Sequence, residues 1–296
     1  SAQIIAELDS LYALGWRGDL FFVDDNFIGK TAYLKADLLP MLTAWRKGKA
    51  GNRFSTEASI NLADDSELMA LMVGAGFETV FIGIETPNEE SLAECGKAQN
   101  KSRDLLGDVK RIQRAGLQVQ GGFIVGFDHD APSIFQRQID FIQRSGIVTA
   151  MVGLLQAPVG TRLYERMKEQ GRLSSDTSGD NVDGTTNIIP TMSLDALKDG
   201  YRQILDRIYS PAPYYLRIRT FLREYRIPRV RRQLRLSYIL TAIRSVYRIG
   251  IAGRERLDYW RLLGWTLFRR PRLLSHAITF AIYGYHFRKV CELHIR

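Results

Sequence analysis

The sequence predicts an α/β protein: an incomplete (β/α) barrel followed by a basic helical region. Three observations predict it. Short apolar runs alternate with amphipathic stretches at spacings of about 25 to 40 residues, as in successive βαβ units. Polar residues gather where the apolar runs end, the place a barrel turns into a mouth. No Gly-x-Gly-x-x-Gly opens a helix after a strand, which counts against a flat dinucleotide-binding sheet.

The elements follow in order. Ile4, Ile5, Leu8, Leu11 and Tyr12 recur at helical spacing, and Gly15 closes that helix. Because the chain opens on a helix, a strand before Ser1 is the expected missing partner. Residues 19–23 (DLFFV) read as the first visible strand, ending in Asp24, Asp25 and Asn26. A second helix carries Leu34, Leu38, Met41, Leu42 and Trp45 on one face. Residues 54–60 read as a strand containing Glu57, and Asp64-Asp65 caps the next helix. Residues 79–84 (TVFIGI) form a buried strand ending in Glu85.

The stretch 119–128 (VQGGFIVGFD) organises the rest. Apolar residues 123–125 lie between glycines and run into Asp128, as in a buried strand leading into a loop. Gly121, Gly122 and Gly126 let the backbone approach a neighbouring group without a Cβ in the way. Helices are predicted on either side, around 105–115 and over 133–145, and a last strand over 148–155 is followed by Gln156. Residues 158–164 read as a turn capping a helix, and 174–187 as a Ser-, Asp- and Gly-rich loop.

Charge divides the chain. Residues 201–296 hold 21 Lys and Arg against 5 acids, a net of +16, whereas residues 1–200 carry −7. Sixteen of the 31 aromatic residues also fall in 201–296. A solvated helical bundle whose Arg stems cover apolar faces is one account of this end. Peripheral contact with an anionic membrane is the next, and nucleic acid ranks third for want of any reading motif. No apolar run reaches the roughly 20 residues that span a bilayer. Two distant cysteines, Cys95 and Cys291, make no disulfide framework, so a reducing cytoplasmic setting is expected.

Asp24, Asp25, Asn26, Glu57, Glu85, Asp128 and Gln156 are candidates for one ligand site, because barrel strands bring their ends together. Taken singly, each is adequately explained as a cap or turn residue. Of four histidines only His129 lies near a strand end, and no Gly-x-Ser-x-Gly or paired-His motif occurs, so triad and zinc-hydrolase chemistry are poorly supported. Two alternatives remain open: a barrel lyase or aldolase holding a divalent ion with Asp24, Asp25 and Glu85, and a non-catalytic module docking through its basic helices.

Residues 22–27 (FVDDNF), 81–87 (FIGIETP), 121–128 (GGFIVGFD) and the phrase Pro158-x-Gly160-Thr161-x-Leu163-Tyr164 carry a resemblance. In identity, order and spacing they resemble radical S-adenosylmethionine enzymes. The closer likeness is to the branch with an upstream cobalamin-binding domain and a downstream helical domain of uncharacterised role. The resemblance covers nearly the whole chain.

It implies a partial (β/α)6 TIM-like barrel, here without its first strand, over residues 1–170. A linker over 171–194 and a helical domain over 195–296 would follow. It implies three cofactors: S-adenosylmethionine, a four-iron four-sulfur cluster and cobalamin. It also implies an external electron donor and a 5′-deoxyadenosyl radical used for methylation, or a related modification, of an unactivated carbon on a small-molecule or lipid-like substrate. By position, Asp24, Asp25 and Asn26 would flank the methionine moiety and Glu85 would meet the ribose. Gly122, Ile124 and Gly126 would line the adenine, with Glu57 and Gln156 in the same mouth. The Cys-x-x-x-Cys-x-x-Cys cluster motif is absent from these 296 residues, as is the cobalamin domain. The expectation is therefore an N-terminally truncated piece, inactive alone.

Overall fold

The computed structural model describes residues 1–49, 51–174, 183–227 and 236–294, with side chains throughout except at 236–238 and 294. After helix α1 (Ala2–Ala13) comes strand β1 (Leu20–Phe22). The second helical stretch is α2 (Thr31–Tyr33), a π-turn over Leu34–Leu38, and α3 (Leu39–Trp45). Strand β2 (Phe54–Glu57), helix α4 (Ser66–Ala75) and strand β3 (Phe77–Glu85) follow, then α5 (Glu89–Glu94) and α6 (Leu105–Ala115). Strand β4 (Gln118–Val125), α7 (Ser133–Ser145), β5 (Ala150–Leu154) and α8 (Arg162–Glu169) complete the α/β part. The remainder is helical: α9 (Leu194–Tyr209), α10 (Pro211–Glu224), α11 (Leu236–Ser245), α12 (Arg256–Arg269) and α13 (Leu274–His294).

Capping chemistry explains several boundaries. Asp65 accepts the Leu68 amide to start α4, and Thr161 accepts the Tyr164 amide to start α8. Gly76 ends α4 in the left-handed conformation, which a Cβ would penalise. Strand β2 is shorter than the reading of 54–60, because Ile60 already begins a 3-10 turn over Ile60–Asp64. The loop read over 174–187 and the linker over 171–194 fall partly outside the described residues, at 175–182.

The five strands form one parallel sheet in the order β1-β2-β3-β4-β5. Sequential order with a crossover between each pair puts the helices on one side. Helix α4 packs on β3, α6 and α7 on β4, and α9 on β5. Strand residues facing these helices are buried: Val80, Ile82 and Ile84 on β3, Val119, Phe123 and Val125 on β4, and Val152 and Leu154 on β5. The opposite face is half-exposed along β2, β3 and β4, and at its end Ile124 packs against a second apolar cluster that includes Phe127, Leu155 and Met167 of α8. This half-exposed face distinguishes it from a doubly wound sheet, which is covered on both faces. Among the described residues β1 and β5 remain edges, each paired on one side only. On β1, Phe21 is 50% exposed and followed by Val23 at 85%.

The C-terminal helices join the same core through buried aromatics and one buried cation. Tyr209 donates to the Ala150 carbonyl at the start of β5 (2.7 Å), and Tyr214 to the Phe280 carbonyl of α13 (2.8 Å). Arg217, on α10, is fully buried. It donates to Gln143 Oε1 of α7 (2.6 Å) and to the Val148 carbonyl before β5 (3.3 Å). Its guanidinium also lies 5.0 Å from the Tyr214 ring centroid.

Candidate functional site

Parallel pairing aligns the half-exposed residues of neighbouring strands. Ser55 and Glu57 on β2, Thr79, Phe81, Gly83 and Glu85 on β3, and Gln118, Gln120, Gly122 and Ile124 on β4 all alternate onto the open face. The register sets Glu57 opposite Phe81, Phe81 opposite Gln120, and Gly83 opposite Gly122. Four sequence candidates, Glu57, Glu85, Gly122 and Ile124, thus share one surface.

The two paired glycines remove the side-chain layer at the middle of this face. A Cβ on Gly122 would come within 2.9 Å of the Phe81 ring, and one on Gly83 would collide with Glu85 Oε1 and lie 3.0 Å from Lys97 Nζ. The Phe81 ring therefore leans over one glycine, and an ion pair between Glu85 and Lys97 (2.8 Å) folds over the other.

Glu85 has φ +65°, a conformation that L side chains with a Cβ rarely adopt. Buried amides hold it there. Asn100 Nδ2 donates to the carbonyls of Gly83 (3.0 Å) and Ile84 (3.1 Å). Gln138 Nε2 donates to the carbonyls of Ile124 (2.7 Å) and Glu85 (3.3 Å), tying β3 to β4. A strained residue locked by its surroundings marks a place where geometry has been held at a cost in stability. Lys97, Asn100 and Gln138 were not singled out by the sequence reading. Gln138 left a signal, since it interrupts the apolar stripe Ile134, Phe135, Ile139, Ile142 on the buried face of α7. Lys97 and Asn100, before and at the end of the short 3-10 turn Ala98–Asn100, left none.

The other candidates lie along the C-terminal edge. Asp24, Asp25 and Asn26 are exposed after β1, and Asn26 Oδ1 accepts from the Ser59 amide (3.1 Å), joining that loop to the one after β2. Gly126 has φ +105° and lies buried against Leu197 of α9. Its amide and that of Phe127 donate to Asp130 (2.9 and 3.1 Å), so the turn after β4 is rigid. Gln156 is buried after β5 and donates to the Thr185 carbonyl (3.2 Å).

Asp128 is not available to a ligand as read from the sequence. Arg172 grips it with two bonds (2.6 and 3.0 Å), and Glu94 accepts both its amide and Arg166 (3.0 and 2.8 Å). The Arg172 bonds hold the Asp128 carboxyl below its ordinary value. A carboxylate with a lowered folded pKa stabilises the native state fully above its unfolded value and loses that contribution as pH falls through the folded one. Asp128→Asn is expected to lose about 1 kcal/mol at neutral pH, given partial exposure. That deficit should close as pH falls below about 4, read from urea unfolding across pH.

The metal-dependent alternative meets a correction here. Among the described residues, no group of three or more His, Cys, Asp or Glu side chains is placed to hold a metal ion, so Asp24, Asp25 and Glu85 do not form a divalent-ion site. An iron–sulfur cluster does not fit either. Cys95 follows α5 and Cys291 lies on α13, where burial pushes its thiol up to about 11. The glycine pair offers backbone beside an aromatic ring and a largely buried carboxylate, and the Phe81 ring and the Glu85–Lys97 pair lie over it.

Three comparisons bear on this arrangement. Residues 161–296 match the family model described as a domain of unknown function, DUF4070. The chain is 38% identical over 299 residues to an uncharacterized methyltransferase of Synechocystis, covering 99% of this chain and 55% of the relative. It is 32% identical over 273 residues to the hopanoid C-2 methylase of Rhodopseudomonas palustris, covering 88% of this chain and 50% of the relative.

Among solved structures, the fold is similar to TsrM from Kitasatospora setae, a radical S-adenosylmethionine methyltransferase with cobalamin and a four-iron four-sulfur cluster bound. The TM-score is 0.52 at 16% identity, over 98% of this chain and 55% of that one, a likeness of fold alone. The class is therefore an α/β protein with a five-stranded parallel sheet whose relatives are named as methyltransferases. The chain spans about half the length of the curated relatives it matches.

Proposed function

We propose that this chain is the substrate-facing half of a radical S-adenosylmethionine methyltransferase, acting on a small-molecule or lipid-like substrate. The observation that carries the reading is the open sheet face, where Glu85 is held at φ +65° beside the Gly83–Gly122 pair. S-adenosylmethionine would supply the methyl group from one molecule and, from a second cleaved by reduction, the hydrogen-abstracting radical, with cobalamin as methyl carrier and an external electron donor.

The chain's own residues bind and orient. Glu85, an acceptor-only carboxylate braced by Lys97, would accept both ribose hydroxyls. The backbone at Gly83 and Gly122 would take the adenine against Phe81, with Ile124 beside it and Gly126 fixing the loop that follows. Asp24, Asp25 and Asn26 would meet the amino end of the methionine moiety. Glu57 adds negative charge toward the sulfonium, and Gln156 closes the edge beyond β5.

No step is assigned to the cluster. Its three thiolates are proposed to belong to sequence upstream of Ser1, in keeping with relatives about twice as long. The chain alone is proposed to lack radical activity. Titration with S-adenosylmethionine, followed at the Ile124 methyl group, tests the binding part of the reading.

A further inference from the structure

Large apolar side chains recur every four residues along α11 and the π-turn Val246–Ile251 that continues it. Ile239, Ile243, Tyr247 and Ile251 are each about half or more exposed, at 49, 60, 65 and 59%. That interval sets them in one row. Exposed Leu257 and Trp260 of α12 widen the row, because Trp260 Nε1 donates to the Gly250 carbonyl (2.9 Å) and fastens α12 to the π-turn. A solvated helix shows single apolar residues, not a contiguous row of this kind.

The rim is cationic. Between residues 236 and 294 there are ten Lys and Arg against three acids. Those acids are occupied: Glu255 by Arg288, Glu292 by Lys289, and Asp258 lies 3.8 Å from Arg261. Arg248 follows Tyr247 in the chain, and Arg254 follows the row's end by three residues. With Tyr285 and the ion pairs Arg288–Glu255 and Lys289–Glu292 they line a cavity of about 550 Å³ on the flank of the same turn, leaving Arg248 and Arg254 as its excess charge. Among the described residues, Arg248 and Arg254 form no ion pair with an acid.

We propose that this face docks on an anionic lipid bilayer. The helix would lie in the membrane plane with the apolar row at the headgroup–acyl boundary, while Arg248 and Arg254 take lipid phosphates at the cavity mouth. Charge complementarity selects the occupant, since a narrow apolar row inside a cationic rim matches anionic headgroups over acyl chains. Trp and Tyr suit the interface depth. No described helix is long and apolar enough to cross a membrane, so the contact is peripheral.

Flotation of the full chain with phosphatidylcholine vesicles, and with phosphatidylcholine vesicles rich in phosphatidylglycerol, tests this at low and high salt. Recovery is expected with the anionic vesicles only, and should fall at high salt as the charges are screened. The pair Ile243→Glu with Ile251→Glu should abolish it. Arg248→Glu with Arg254→Glu should weaken it at least about tenfold, whereas lysine at both positions should retain it. All four side chains are exposed, and a thermal melt of each preparation confirms folding. Equal recovery with both lipids, no recovery with either, or full recovery of the folded Ile243→Glu, Ile251→Glu chain would each overturn the proposal. The wild-type comparison alone decides the matter if a variant unfolds.

Discussion

Arg217→Ala is expected to destabilise the chain by about 3 kcal/mol or more. The guanidinium is fully buried between α10, α7 and the start of β5. Truncation leaves a cavity the size of a long side chain, and strips donors from Gln143 Oε1 and the Val148 carbonyl. Burial pulls the Arg217 pKa down, so part of the loss is offset by removing a charge that has no acid beside it. Arg217→Met separates the two contributions, because it fills the space and removes the charge but leaves the same acceptors unpaired. Its cost should be smaller, about 1–2 kcal/mol. Urea unfolding midpoints give the order wild type, Met, Ala. A methionine variant no more stable than the alanine one would show that filled volume is not what Arg217 contributes.

Glu85 gives the second large effect, divided between stability and binding. Glu85→Ala and Glu85→Gly both remove the carboxylate and its pair with Lys97. Only glycine relieves the left-handed backbone at φ +65°. Glu85→Gly should therefore melt above Glu85→Ala, by about 1 kcal/mol. On the proposed function, both should lose S-adenosylmethionine affinity by about 10-fold or more, the worth of a charge-assisted hydrogen bond. Alanine melting above glycine would contradict the strain account. Undiminished affinity would contradict the ribose contact.

The parts legible in the sequence were those with a strong local period. The readings of 105–115 and 133–145 coincide with α6 and α7, whose apolar faces repeat cleanly between a start signal and a closing glycine. Strand cores were legible and strand ends were not. The reading of 148–155 shrinks to Ala150–Leu154, although Leu155 still donates to the Val125 carbonyl of β4 (2.9 Å). Helix α5 went unread, being six residues long with two acids in its first turn and little periodicity.

At the site, Glu57 and Glu85 were legible as acids in and after apolar runs and Gly122 and Ile124 through the family resemblance, and strand alternation is what sets the four on one face. Lys97, Asn100 and Gln138 depend on which loops and helices come to rest on the ends of β3 and β4. That is a tertiary fact with almost no local signature. Asp128 shows the converse: a strand-end acid that looked available is committed to Arg172, from a segment 44 residues away in the chain.

The central claim is that S-adenosylmethionine lies on the open sheet face, over Gly83 and Gly122. Methyl NMR of the isoleucine side chains during titration with S-adenosylmethionine tests it most directly. Ile124 is on that face, while Ile139 is buried against the helices on the other side. The account predicts that the Ile124 methyl shifts and saturates while Ile139 stays still. Gly122→Val, whose side chain would meet the Phe81 ring, should abolish the shift in a chain that still folds. No shift at Ile124 at saturating ligand, or the same shift in the folded Gly122→Val chain, would contradict it.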